Sequence, residues 1–339
     1  MKQFRLNTLV TLAILGATVG SSIADSLYPV VVGGRWGYAD KSGTIVINPQ
    51  FDRAEAFTAG LAPVKMGHWA YVDPAGKVVI NPQFDRVAGF SEGLAVVKLG
   101  GGGVPAPWET PPWGGGGGGH YGFINSEGKF TINPQFDDAY SFSQGLAAVK
   151  TGKWGFIDKA GKFVINPQFD EAYPFSEDLA MVKLGGRFGF TDKDGKLVIN
   201  PQFERGQAFS EALAAVRSGG KWGFVDKTGK FNINPQFEEA GSFVNSLAAV
   251  RQGKRWGFIN SAGSFVINPQ FDEAAAFSEG LAAVRQSGKW GFVDKTGQLV
   301  INPQFDEAAG FTNSLARVKS SGRFGYVNAT GKYVYNPTN

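Results

Sequence analysis

The feature that most limits this chain is a phrase written nine times. The leucine opening a Leu-x-x-Val motif falls at Leu27, Leu61, Leu94, Leu146, Leu179, Leu213, Leu247, Leu281 and Leu315. The steps between them are 34, 33, 52, 33, 34, 34, 34 and 34 residues. A fixed period of this length marks one supersecondary unit that buries its faces against copies of itself. One step is long because residues 99–119 are inserted in the third unit.

Every unit has the same parts. After Leu-x-x-Val comes a short polar turn, then aromatic-Gly-aromatic, as in Trp290, Gly291 and Phe292. A turn of the form Asp-x-x-Gly follows, then an apolar run ending in Asn-Pro-Gln-Phe, as in Leu299 to Phe305. The apolar runs are short, β-branched or aromatic, and bounded by turn residues, so they read as strands. The turn glycine, for instance Gly229, fits a position with positive φ. The Asp or Asn that opens the turn supplies a side-chain oxygen to nearby backbone N–H groups.

The first aromatic of each pair is Trp36, Trp69, Tyr121, Trp154, Phe188, Trp222, Trp256, Trp290 or Phe324. Exchange among Trp, Phe and Tyr keeps bulk and discards the indole N–H, which points to packing rather than ligand stacking. The glycine between the aromatics, replaced once by Ala70, leaves room for another backbone to approach. The proline of Asn-Pro-Gln-Phe cannot donate to a ladder and marks where the strand leaves its sheet.

These features predict an all-β tandem array of nine antiparallel units, each of about three strands. A typical propeller blade has four strands in roughly 40–45 residues, and no terminal fragment here completes a unit at the other end. An open, stacked and superhelical array is therefore the expected arrangement, with a closed propeller-like ring as the alternative.

The first 24 residues stand outside the repeat. Lys2 and Arg5 precede an apolar stretch from Leu9 to Val19, and Ser22-Ile23-Ala24 ends it. This is the pattern of a secretory signal peptide, with the repeat domain over 25–339. The apolar stretch is shorter than the roughly 20 residues of a membrane span, so no stable insertion is expected after cleavage. The whole chain carries +4 and has no cysteine. Cysteine chemistry is thus excluded, and removal of Lys2 and Arg5 lowers the charge further. A nucleic-acid partner is not indicated. The expected location is periplasmic or extracellular.

The "KWGFIDKAGKFVINPQF" wording at 153–169, repeated with small changes over 27–337, resembles the WG repeat family, also called KWG repeats, found mostly in bacterial proteins. The resemblance implies a β-rich scaffold repeat, often exported and sometimes fused to other domains. It brings no general activity, no cofactor and no catalytic residues.

The residues agree with that. His68 and His120 occupy the slot before the aromatic, where other units place Lys or Arg, so neither stands apart as an acid–base group. Paired acids such as Asp272-Glu273 recur as well, with the base after Leu-x-x-Val, such as Arg285, as their expected partner. No metal or cofactor site is expected. The insertion, "LGGGGVPAPWETPPWGGGGGG", carries Trp108 and Trp113 between glycine runs and is the candidate binding loop. The expected function is an exported, non-enzymatic scaffold that binds protein at the cell envelope. A lectin-like module for glycans or cell wall is the alternative. The oligomeric state is not legible from the sequence.

Overall fold

The structure is a computed structural model that describes residues 26–100 and 119–336. The leader at 1–24 and the candidate loop residues Trp108 and Trp113 lie outside the described residues.

The described chain forms nine antiparallel sheets in sequence order. The first has three strands and the other eight have four. In the fifth sheet the strands are Glu171–Ser176, Leu179–Leu184, Arg187–Thr191 and Leu197–Phe203, hydrogen-bonded in that order. The second strand carries Leu-x-x-Val, the third the aromatic pair, and the fourth Asn-Pro-Gln-Phe. The first strand is the one that the period does not announce. In the seventh sheet it is only Glu239–Ala240, too short to show alternation.

The proline does not release the fourth strand from its sheet, contrary to the expectation above. The strand bulges and rejoins. Phe156 pairs with Ile165 and Trp154 pairs with Phe169, so one residue, Gly155, faces Asn166, Pro167 and Gln168. A bulge accommodates a residue that has no N–H to give. The returning phenylalanine is buried, Phe169 being 1% exposed. The bulge also explains the glycine. A Cβ on Gly155 would lie 2.5 Å from the Ile165 carbonyl oxygen and 2.8 Å from the Pro167 nitrogen.

The core is divided among the gaps between sheets. Phe156, Ile165 and Phe169 of the fourth sheet pack with Phe175, Ala180 and Val182 of the fifth. The Phe156 and Phe175 rings are 4.9 Å apart, and Phe224–Phe243 and Phe292–Phe311 repeat that pair at 4.8 and 4.9 Å. From the second sheet onward, each turn glycine sits on an isoleucine of the preceding sheet, with the Cβ position of Gly229 3.1 Å from Ile199 Cγ2.

Equivalent contacts join the last sheet to the first. Gly43, the turn glycine of the first sheet, rests on the backbone of Val334 in the ninth. Tyr28, Val30 and Ala39 pack with Leu315 and Tyr326 in one cluster. The nine sheets therefore close into a ring, a nine-bladed β-propeller, and the open superhelical array is incorrect. Two features concealed this. The first strand of each four-stranded sheet lies in the connector, and the ring closes by side-chain and turn contacts without a shared sheet.

Candidate functional site

The order of strands identifies the inner edge of the ring. The first strands of neighbouring sheets crowd together: Gln207, just after that strand in the sixth sheet, donates to the Ala240 carbonyl in that strand of the seventh at 2.9 Å, and Tyr140 and Tyr173 bring their rings within 6.0 Å across the fourth and fifth. Neighbouring blades converge in this way toward the centre of the ring. The short first strands thus line the axis, and the fourth strands, with Val164 46% exposed, form the outer rim.

Two ladders of charge run around the face that bears the turns between second and third strands. The first joins neighbouring sheets. Asp170 accepts from Lys153 of the fourth sheet and, at 2.9 Å, from the Gly185 N–H of the fifth. Glu238 repeats this with Lys221 at 2.7 Å and the Gly253 N–H at 3.0 Å. The bonds to lysine hold the carboxyls of Asp170, Glu238 and Asp306 below their ordinary range.

The second ladder lies within sheets, between the first strand and the base after Leu-x-x-Val. Glu171 meets Lys183 at 2.7 Å, Glu273 meets Arg285 at 2.6 Å and Glu307 meets Lys319 at 2.8 Å. Glu239 lies 3.5 Å from Arg251, and Asp138 is opposite Lys150. The expected pairing of Asp272-Glu273 with Arg285 is thus divided. Glu273 takes Arg285, while Asp272 takes Arg255.

Three sheets break the second ladder. Arg53 stands opposite Lys65, Arg86 opposite Lys98 and Arg205 opposite Arg217. These arginines were not singled out from the sequence. The signal was present, because each replaces the acid that five other units carry. Asp138 in the fourth sheet is drawn into this region. It is 6% exposed, burial raises its carboxyl, and Lys150, Arg86 and Lys98 act against the rise.

The repeat aromatics flank the ladder. Tyr121, Trp154 and Trp222 are buried, whereas Trp36, Trp69, Phe188, Trp256, Trp290 and Phe324 are half-buried. Lys183 lies over the Phe188 ring at 5.2 Å. His68 is 3.7 Å from Asp85, in the latch position of the first ladder. Leu99 pairs with His120 across the root of the insertion, which opens from this same face. Among the described residues no group of three His, Cys, Asp or Glu could hold a metal ion.

The opposite face is tied as well. Glu177, at positive φ, accepts from the Ala212 N–H of the next sheet at 3.0 Å, and Glu211 accepts from the Ser246 N–H at 2.9 Å. Ser143 and Ser176 donate to the carbonyls of Phe175 and Phe209, each at 2.7 Å.

Comparison with solved structures gives the same architecture. A crystal structure of a eukaryotic initiation factor superposes with a TM-score of 0.62 at 12% identity, over 91% of this chain and 94% of that one. Dihydro-heme d1 dehydrogenase NirN in complex with DHE reaches 0.49 at 12% identity, over 98% and 77%. Kluyveromyces lactis Hsv2p reaches 0.42 at 8% identity, over 69% and 89%. At these identities the likeness concerns the fold alone, and the last two are too distant to carry an argument. No curated protein matches the sequence. The model of the WG containing repeat matches residues 36–67, 69–102, 121–153, 154–188, 188–222, 222–256, 256–290 and 290–323, and the chain therefore belongs to the WG repeat family.

Proposed function

We propose that this chain is a rigid, non-enzymatic propeller that binds another protein outside the cytoplasm. One observation carries the reading. Most of its repeated charges and hydroxyls are tied into ladders between or within sheets, so the ring is built to hold a surface still. The interruption of the repeat, residues 99–119, opens from the face where the second ladder also breaks. Loops and departures on a rigid scaffold are where binding concentrates. The basic, apolar and small-residue segments of the leader support export.

The test uses the mature protein and a form lacking residues 100–118. Each is immobilised and exposed to an envelope extract, and the retained proteins are quantified. Saturable retention of one partner, weakened by the deletion, is the expected result. A glycan array binding wild type when no protein is retained would replace this reading with a lectin.

A further inference from the structure

We propose that the inner edge of the second, third and sixth sheets binds an acidic polypeptide segment. The proposal rests on the protein-binding reading and names the chemistry of the partner. Five sheets solve the position opposite the Leu-x-x-Val base with a carboxylate. Three place an arginine there, so that two cations face each other: Arg53 and Lys65, Arg86 and Lys98, Arg205 and Arg217. Like charges directly opposite on a sheet are destabilising. The repeat itself shows that a stabilising alternative fits the same backbone. Stability forgone at equivalent positions marks a functional demand.

The surroundings offset these charges incompletely. The pair in the third sheet has a structural use: Lys98 is buried with its Nζ over the Tyr121 ring at 5.4 Å, and Arg86 lies near Tyr121 and Asp138. Arg53 has Glu55 as a neighbour, and Arg217 is 3.8 Å from Glu204. Among the described residues, Arg53, Lys65 and Arg205 make no ion pair within 4.0 Å. Cations at the mouth of a concave, low-dielectric ring focus their field on the axis. Guanidinium forks suit carboxylates in particular.

The pattern also selects between anions. The second and third sheets are neighbours, but the fourth and fifth place Asp138 and Glu171 before the sixth is reached. The Glu171 side chain is 40% exposed. A uniformly charged polymer would be repelled there. A polypeptide that alternates carboxylate clusters with neutral residues would not. Tyr173, half-buried with its ring 6.0 Å from that of the buried Tyr140, offers an aromatic edge to those neutral residues.

The variant that tests this is Arg53→Glu with Arg205→Glu. It writes into two sheets the acid that five already carry, while Arg86 stays in place. Its melting temperature should equal or exceed that of wild type. The probe is a fluorescein-labelled peptide with Glu-Glu pairs separated by Gly-Ser-Tyr spacers, read by anisotropy at low and high salt. Wild type should bind it more weakly as salt rises, and the variant should lose on the order of tenfold in affinity. Equal binding by the variant, or equal binding of the matching Gln peptide, would overturn the proposal. So would a fall in melting temperature, which would make the arginines structural. Tighter binding of heparin, lost in the same variant, would reassign the site to a polyanionic glycan. If the peptide fails while both forms retain the same envelope protein, this proposal falls and the scaffold reading stands.

Discussion

Gly155→Ala tests the packing argument most directly, because it adds one carbon and no polar group. The backbone of Gly155 is not in the left-handed region, so any loss is steric. Its Cβ would meet the Ile165 oxygen at 2.5 Å, and an ordinary contact begins at 3.4 Å, so the bulge must retreat by about 0.9 Å. Forcing that retreat costs about 1–3 kcal/mol. Alanine also narrows the unfolded ensemble, which returns about 0.4–1 kcal/mol. The net loss is about 1–2 kcal/mol. With an unfolding entropy of about 2.1 cal/mol/K per residue, a ring of this size loses roughly 2–3 °C.

Consecutive sheets enlarge the effect. Gly189 and Gly223 face the same bulge, with Cβ positions within 2.7 Å of Pro201 N and Pro235 N. Alanine at all three should lower the melting temperature by roughly 6–9 °C if the sites act independently. Gly241→Ala is the control, since the nearest neighbour of its Cβ position is 3.6 Å away, at ordinary contact distance. Ala70, fully buried, shows that the fold admits one such methyl. A triple variant melting within about 1 °C of wild type in calorimetry would refute the claim that the bulge fixes the glycine.

Gly229→Ala should destabilise by about 1–2 kcal/mol, because φ there is +85° and the left-handed region is costly to an L side chain; a denaturant midpoint equal to that of Gly241→Ala would contradict it. Asp170, Glu238 and Asp306 have folded pKa values below their unfolded ones, so their contribution is present above the unfolded range and is lost as pH falls through the folded values. The melting temperature should accordingly drop below about pH 4, and a flat profile from neutral pH to about pH 3 would count against the ladder. Deleting residues 100–118 should leave the melting temperature unchanged or slightly higher, since Leu99 and His120 already pair and Met66 and His68 pair across the single Gly67; a large drop in scanning fluorimetry would place the insertion in the core. Mass spectrometry of the mature protein should find Asp25 at or near its first position, and retention of Met1 would reject cleavage.

Much of the unit was legible in the sequence because its demands are local. The turn reading rests on Asp294, whose Oδ1 accepts from Thr296 N at 2.9 Å and Gln298 N at 3.0 Å. The open space beside Gly155 was legible too, although the neighbour filling it proved to be the Asn-Pro-Gln bulge of its own sheet. What escaped was not local. Glu239–Ala240 is a strand only because Arg251 and Val250 lie opposite, and two residues carry no period. The division of Asp272 and Glu273 between different bases depends on which strand each faces. Closure depends on an angle between neighbours that no single unit encodes.

The seam shows how little the repeat must change to close. In the first two sheets a tyrosine in the same slot of the third strand donates to the residue after the next sheet's first strand: Tyr38 to the Glu55 carbonyl and Tyr71 to the Ala88 carbonyl, each at 2.8 Å. The first sheet has no such strand among the described residues. Tyr326 of the ninth sheet instead reaches the Leu-x-x-Val strand of the first and donates to the Pro29 carbonyl at 2.9 Å. Pro29 has no N–H at that edge, so it asks for one bond and receives it. Tyr28 donates back to the Asn313 carbonyl, and its ring lies 5.4 Å from that of Tyr326. Phenylalanine fills the Tyr326 slot in most other sheets, where packing alone suffices. At the seam between ninth and first sheets the tyrosine has a further use: its hydroxyl takes the place of the backbone N–H that elsewhere reaches the equivalent carbonyl, as Glu55 N reaches the Pro63 carbonyl at 2.9 Å.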